Sequence, residues 1–187
     1  MPVQAKTTLF SYIIDSDNRV TMVSKEWLRF AQENSATHLT QESIIGKPLF
    51  DFIADPETRH LYQMVINKVR STGTTLSLPF RCDAPGLRRY MQLVIAPLQN
   101  QYLQLVGEIL REEPREPVPL LDNHTERSDQ FLTICSWCKR VKVLNNWLEV
   151  EEAVDELGLF HQSPLPQLTH GMCQQCKESA LSQAGLA

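Results

Sequence analysis

The residues with most chemistry in them are four cysteines set as two hooks, Cys135-Ser136-Trp137-Cys138 and Cys173-Gln174-Gln175-Cys176. Two residues between cysteines let one tight turn aim both sulfurs at one point. Two such turns supply four thiolates in a tetrahedron, the arrangement zinc prefers. A single hook is a weak signal and a pair is a strong one. Four thiolates leave no open coordination position, so the spacing predicts a structural ion held by Cys135, Cys138, Cys173 and Cys176, with zinc the leading candidate. Iron is held by the same donors and stays open as an alternative. The hooks are 34 residues apart, against about 15–20 in common zinc ribbons, so a small α/β insert is predicted between them.

Other chemistries are weighed against this one. A Cys-x-x-Cys pair can cycle between dithiol and disulfide, but that site needs one hook, placed where a helix opens after a strand. His170 stands three residues before Cys173. It could replace one cysteine as a ligand, but with four cysteines completing the shell it is expected to cap backbone or to orient a thiolate. Covalent haem needs a histidine straight after the second cysteine, and Lys139 and Lys177 stand there instead. Their charges are placed to offset the −2 of a zinc tetrathiolate. The fifth cysteine, Cys82, reads as a small semi-buried hydrophobe, and an odd count weighs against a disulfide framework. His60 reads as a surface residue rather than an axial haem ligand. The sequence has no Gly-rich phosphate loop, no G-x-S-x-G, no kinase phosphoacceptor segment and no evident helix-turn-helix. The expectation is a protein without catalytic activity, a thiol oxidoreductase being the alternative.

Composition bounds the partners. The chain has 187 residues, 42% of them apolar, enough for one ordinary domain and a small one. No run approaches the roughly 18 apolar residues of a membrane span, and Met1 to Lys6 lacks the apolar stretch of a signal peptide. A cytoplasmic location, reduced thiols and no membrane partner are therefore expected. Net charge is −4, and residues 112–129 hold two basic against six acidic side chains. With no basic patch, a nucleic-acid-binding zinc module is the weakest of the three functional readings.

The scaffold behind these residues is read from periodicity. Leu9 to Asp15 and Arg19 to Val23 read as a hairpin across Asp15-Ser16-Asp17-Asn18. Ser24 is placed to cap a helix over Lys25 to Glu33 with Trp27, Leu28, Phe30 and Ala31 inward. Leu39 to Phe52 is mixed, broken at Gly46 and Pro48. Asp55-Pro56-Glu57 opens a helix to about Ser71, with Leu61, Met64, Val65 and Val69 as its apolar stripe and Thr72-Gly73 as its stop. Three alternating strands come next, Thr74 to Cys82, Leu87 to Leu98 and Tyr102 to Leu110. Alternation with a polar opposite face predicts an antiparallel sheet packed on one side. Trp27, Phe30, Phe50, Phe52 and Tyr62 are expected in the core.

This order of elements resembles the PAS sensor domain over about Leu9 to Arg111. The matching landmarks are Asp15-Ser16-Asp17-Asn18-Arg19-Val20, Ile45-Gly46-Lys47-Pro48-Leu49, the Asp55-Pro56 helix, Phe80-Arg81-Cys82-Asp83-Ala84-Pro85 and Arg88-Arg89-Tyr90-Met91. The resemblance implies an α+β fold, a five-stranded antiparallel sheet with helices on one face. It also implies a cleft for a small ligand, which the sequence does not name, and a homodimer paired through the outer sheet face. No Asn-Cys-Arg-Phe segment of a light-sensing flavin domain is present.

The remainder divides into an acidic, Pro-rich linker, 112–130, and a small cysteine-rich metal-binding module, 131–184. The prolines Pro114, Pro117 and Pro119 argue for extended chain and against a continuous signalling helix. In the module, Lys139 to Val143 and Trp147 to Val150 read as a short hairpin, Val150 to Leu157 as a helix stopped by Gly158, His161 to Gln167 as a loop and Cys176 to Ala184 as a terminal helix. From about Leu132 to Leu181 the tail resembles a small cysteine module of bacterial signalling proteins, through Ile134-Cys135, Cys138-Lys139, Trp147 and His170-Gly171-Met172-Cys173 with Cys176. The two resemblances together imply a bacterial signal-transduction protein with a protein partner, a sensing or dimerising domain joined to a zinc-held output module.

Overall fold

The structure is a computed structural model that describes residues 9–186. Its first layer is a five-stranded sheet in the order β2-β1-β5-β4-β3, built from β1 (Leu9–Ile14), β2 (Val20–Val23), β3 (Leu76–Arg81), β4 (Leu87–Pro97) and β5 (Leu103–Pro114). Every neighbouring pair is antiparallel. Between β2 and β3 come the helices α1 (Lys25–Glu33), α2 (Gln41–Ile44) and α3 (Pro56–Thr72). Their ends form as the sequence predicts. The Ser24 hydroxyl accepts from the Trp27 amide, Asp55 accepts from the Thr58 amide, and Gly73 ends α3 at φ 66°, the left-handed region that glycine enters at little cost.

Alternation decides which face of the sheet is covered. Ile14, Leu78, Met91, Leu93, Ile95, Leu103 and Leu105 are buried, as are Leu61, Val65, Ile66 and Val69 of α3, and all but Met91 share one core. Phe10 stacks on Phe30 of α1 with ring centroids 4.2 Å apart. Trp27, Phe50 and Tyr62 pack against the same core. Phe52 does not; it is exposed. It ends the single 3-10 turn Leu49–Phe52, too short to carry a stripe. Ile66 is a buried residue of α3 outside the expected stripe. The architecture is the α+β one expected: a five-stranded antiparallel sheet with helices on one face.

The second layer differs more from expectation. It is a four-stranded sheet in the order β8-β7-β6-β9, from β6 (Arg127–Cys135), β7 (Val141–Val143), β8 (Asn146–Leu148) and β9 (Leu165–Gly171). The β7–β8 hairpin is where the sequence puts it. The helix α4 (Val150–Glu156) and the stop at Gly158, φ 63°, also agree. The segment read as a loop from His161 to Gln167 instead enters β9, which lies parallel to β6. Parallel neighbours far apart in sequence leave no hairpin signal. Val118, Leu120, Ile134, Val141, Val143, Val150, Ala153, Val154, Leu159 and Leu165 form the core under this sheet.

Residues 112–130 are correspondingly less of a free connector than their prolines suggest. β5 runs on to Pro114 and β6 begins at Arg127. Between them the Val118 amide donates to the Pro85 carbonyl at 3.1 Å, and Leu120 is fully buried. Arg127 donates to the carbonyls of Leu120, Asp122 and Pro166. No helix among the described residues is long and apolar enough to cross a membrane.

Candidate metal centre

Both hooks hang from the ends of paired strands. β6 delivers Cys135 directly into the turn that carries Cys138. β9 ends at Gly171, whose carbonyl accepts from the Ser136 amide at 2.8 Å. A Cβ on Gly171 would stand 3.0 Å from the Thr133 methyl, so glycine lets the two hooks approach. Cys173 then caps the last helix, α5 (Gln174–Gln183), accepting on its Sγ from the Cys176 amide. One hook is thus a strand-end turn and the other is the first turn of a helix.

The result is a cluster in which the sulfurs of Cys135, Cys138, Cys173 and Cys176 all lie within 4.8 Å of one another. The Sγ atoms of Cys138 and Cys173 are 3.8 Å apart, near the edge of about 3.8 Å in a tetrahedron whose metal–sulfur bonds are ~2.3 Å. A disulfide needs about 2.05 Å, and all four thiols are free. Backbone amides point at the sulfurs, Cys173 N–H at Cys135 Sγ and Cys176 N–H at Cys173 Sγ, each at 3.4 Å.

The charge balance of the cluster fits a cation. Hydrogen bonds from Cys138 and Cys176 push the Cys135 thiol far down. The bond to Cys135 pushes Cys138 up to about 12, and bonds to both Cys135 and Cys138 push Cys176 further up. Four sulfurs this close cannot all carry charge alone, because each thiolate raises the next. A divalent ion at the centre removes that conflict and lets all four ionise. The donor set, its geometry and its electrostatics therefore suit a metal ion.

The remaining sequence candidates fall outside the cluster. His170 sits opposite Ile134 in the β6–β9 ladder, exposed, and is not one of the clustered donors. Partial desolvation of its ring and then the Lys139 charge lower its pKa. Lys139 turns back to donate to the Ser136 carbonyl at 2.9 Å, with φ 63°. Cys82 is half-buried, and burial raises its thiol pKa, which suits an inert side chain. His60 is exposed on α3 beside Lys177 and Leu181 of α5.

Two residues that sequence reasoning passed over tie this centre to the first sheet. Trp137, inside the first hook, is 7% exposed and lies edge-on to Tyr62 of α3, ring centroids 6.1 Å apart. Its carbonyl accepts from the Arg81 amide at 2.8 Å, at the free edge of β3. The alternation of that strand puts the nitrogen of Pro79, which has no hydrogen to donate, on the same edge. Arg81 is the second. Its guanidinium pairs with the fully buried Asp83 carboxylate and, at 2.7 Å, with Glu149 at the start of α4. Burial opposes its charge, but Asp83 and Glu149 outweigh that and raise its pKa. Arg88 and Arg115 pair with Glu151, and Arg140 with Glu149. Met172 N–H also donates to Glu57 in the first turn of α3. A large aromatic between two ligand cysteines was the available signal. The Trp137 indole packs on Tyr62 and Phe80 while the flanking sulfurs join the cluster, so a tryptophan there needs another surface to cover it.

No protein-family model matches the chain, and no curated protein matches it. Solved structures do. A domain of an HTR-like protein from Haloarcula marismortui is 15% identical with a TM-score of 0.41, covering 56% of this chain and 99% of that one. The PAS domain of the RpfR quorum-sensing receptor of Cronobacter turicensis, in complex with BDSF, is 13% identical with a TM-score of 0.43, covering 58% and 100%. A sensory box sensor histidine kinase from Vibrio cholerae is 9% identical with a TM-score of 0.40, covering 58% and 83%. The fold of the first layer stands on its own strand order and on the helices covering one face, the architecture implied by the PAS-like landmarks in the sequence.

Proposed function

We propose that this chain is a non-catalytic signal-transduction protein in which a PAS-like sensing or dimerising domain is coupled to a zinc-held output module. The observation that carries it is the closed cluster of Cys135, Cys138, Cys173 and Cys176, four sulfurs with no fifth donor among the described residues. A filled sulfur shell suits structure rather than turnover. Zinc is the ion of choice because it accepts tetrahedral thiolates without redox chemistry. The packing of the hooks on α3 and β3 supports coupling between the two layers, so that whatever shifts one arrangement biases the other.

A homodimer formed through the outer face of the first sheet goes with this function, with Leu9 and Leu110 exposed at one end of β1 and β5. A protein partner is expected at the metal end, and a cytoplasmic setting suits its reduced thiols. The test is metal analysis with a thiol count on the full chain made without added metal. One zinc per chain, with four thiols shielded until the protein is denatured, is expected. Metal-free protein that cycles between dithiol and disulfide overturns the proposal in favour of a thiol oxidoreductase.

A further inference from the structure

A cleft of about 430 Å³ opens where the linker turn meets β6 and β9. It shares no lining residue with the hollow between α3 and the first sheet, nor with the four sulfurs. Its size is that of a small-molecule site, roughly 300–1,000 Å³, and exceeds what an inorganic ion fills. Leu121 of the linker and Leu168 of β9 line it beside the amides of Asn123 and Gln167.

The charge in this cleft is unbalanced. Arg127, Lys139 and His170 line it against one carboxylate, Asp83, which is fully buried and already paired with Arg81 and Arg115. Where the two layers meet, Arg81, Arg88, Arg115 and Arg140 each have a carboxylate partner. Arg127 has none among the described residues. The carbonyls of Leu120, Asp122 and Pro166 fix its guanidinium and take three of its five N–H groups. Lys139 donates to the Ser136 carbonyl rather than to a sulfur, which leaves two of its three N–H groups. The nearby acids do not fill the gap. Asp122 accepts from the His124 amide within its own turn, and Glu126 and Asp129 are exposed and do not line the cleft.

Donors held in place without acceptors attract an oxyanion. Two full charges, with a histidine N–H as a third donor, match a dianion, and the leucine and amide walls suit an organic body. We infer that this cleft binds a small organic dianion, a phosphate monoester or a dicarboxylate, held by Arg127 and Lys139 with its body against Leu121 and Leu168. Such a ligand touches the linker, the cysteine module and, at Asp83, the loop that leaves β3, so it bears on both layers at once. The site does not depend on which ion the sulfurs hold.

The experiment follows thermal unfolding of the full chain as purified, with glucose 6-phosphate, malate, inorganic phosphate or glucose added and ionic strength held constant by sodium chloride. Glucose 6-phosphate or malate is expected to raise Tm along a saturating curve, and the larger rise separates a phosphate monoester from a dicarboxylate. Inorganic phosphate and glucose are expected to act several-fold more weakly. An equal rise with inorganic phosphate overturns the site in favour of general anion binding, and no rise with either organic anion overturns it outright. Amide NMR shifts on adding the better anion then locate it. Asn123, Lys139, Gln167 and His170 are expected to move, and shifts confined to the first layer overturn the assignment. Lys139→Gln keeps the side-chain length and loses the charge, and is expected to weaken binding about tenfold. Unchanged affinity in the folded variant overturns the role given to Lys139 and the cleft, and should the variant fail to fold, the NMR map decides.

Discussion

The two layers of this molecule are held by different physics. The first is a continuous apolar core in which Ile14, Val65, Ile66, Ile95, Leu103 and Leu105 are completely buried. Many similar contacts share the load, and each side chain contributes a few kcal/mol at most. The second has a smaller aliphatic core and two concentrated devices, the four sulfurs and the chain of ion pairs running from Arg81 to Arg140. Distributed burial tolerates loss at any one position. A concentrated device fails when a single member is removed.

Substitutions should therefore separate the layers sharply. Cys173→Ser should cost most, since structural zinc contributes roughly 10–16 kcal/mol of apparent binding energy. Loss of the bound ion by metal analysis, and loss of cooperative unfolding over residues 131–186 by hydrogen exchange, are expected. Trp137→Ala comes next, at about 3–5 kcal/mol by denaturant unfolding, the usual range for truncating a buried aromatic. Arg81→Met leaves the buried Asp83 carboxylate with only Arg115 at 3.3 Å and should cost about 3 kcal/mol. A double-mutant cycle with Glu149→Gln should show coupling of roughly 0.5–3 kcal/mol, and zero coupling would show that the ion pairs do not join the layers.

Smaller effects probe the same contrast. Burial raises the Glu149 carboxyl, but Arg81 first and then Arg140 outweigh it and hold its pKa below the ordinary 4.5. That pairing contributes stability that is present above pH 4.5 and is lost as pH falls through the lower folded value. Melting curves of Glu149→Gln should therefore be flatter with pH in that window than those of the parent, and parallel curves would contradict it. Least of all, Leu144→Gly should change stability by less than ~1 kcal/mol, because in the left-handed region glycine relieves strain but adds chain entropy. Leu144 is 87% exposed at φ 55° in the β7–β8 turn.

The same division explains what the sequence made legible. The first sheet, α1 and α3 could be read because their signals are local. Period-two strands, the Ser24 and Asp55 caps and the Gly73 stop each act within a few residues. The four cysteines could be read because hook spacing is local too, and the structure brings them together. What escaped reading lies between distant segments. β9 pairs in parallel with β6 across more than thirty residues of chain, so no turn announces it. Val118 and Leu120 are buried by partners the acidic, Pro-rich composition around them gives no hint of. Trp137 and Arg81 owe their burial to each other's segment, through one backbone hydrogen bond and a shared edge. Phe52 shows the reverse error, an aromatic placed inside on hydrophobicity when its short 3-10 turn leaves it exposed.

Whether one ion is gathered by all four cysteines is read by X-ray absorption at the zinc edge on the full chain as purified. Four sulfur neighbours at about 2.3 Å and no nitrogen or oxygen are expected. Fewer than four sulfurs, a nitrogen neighbour from His170, or no zinc at all would contradict it.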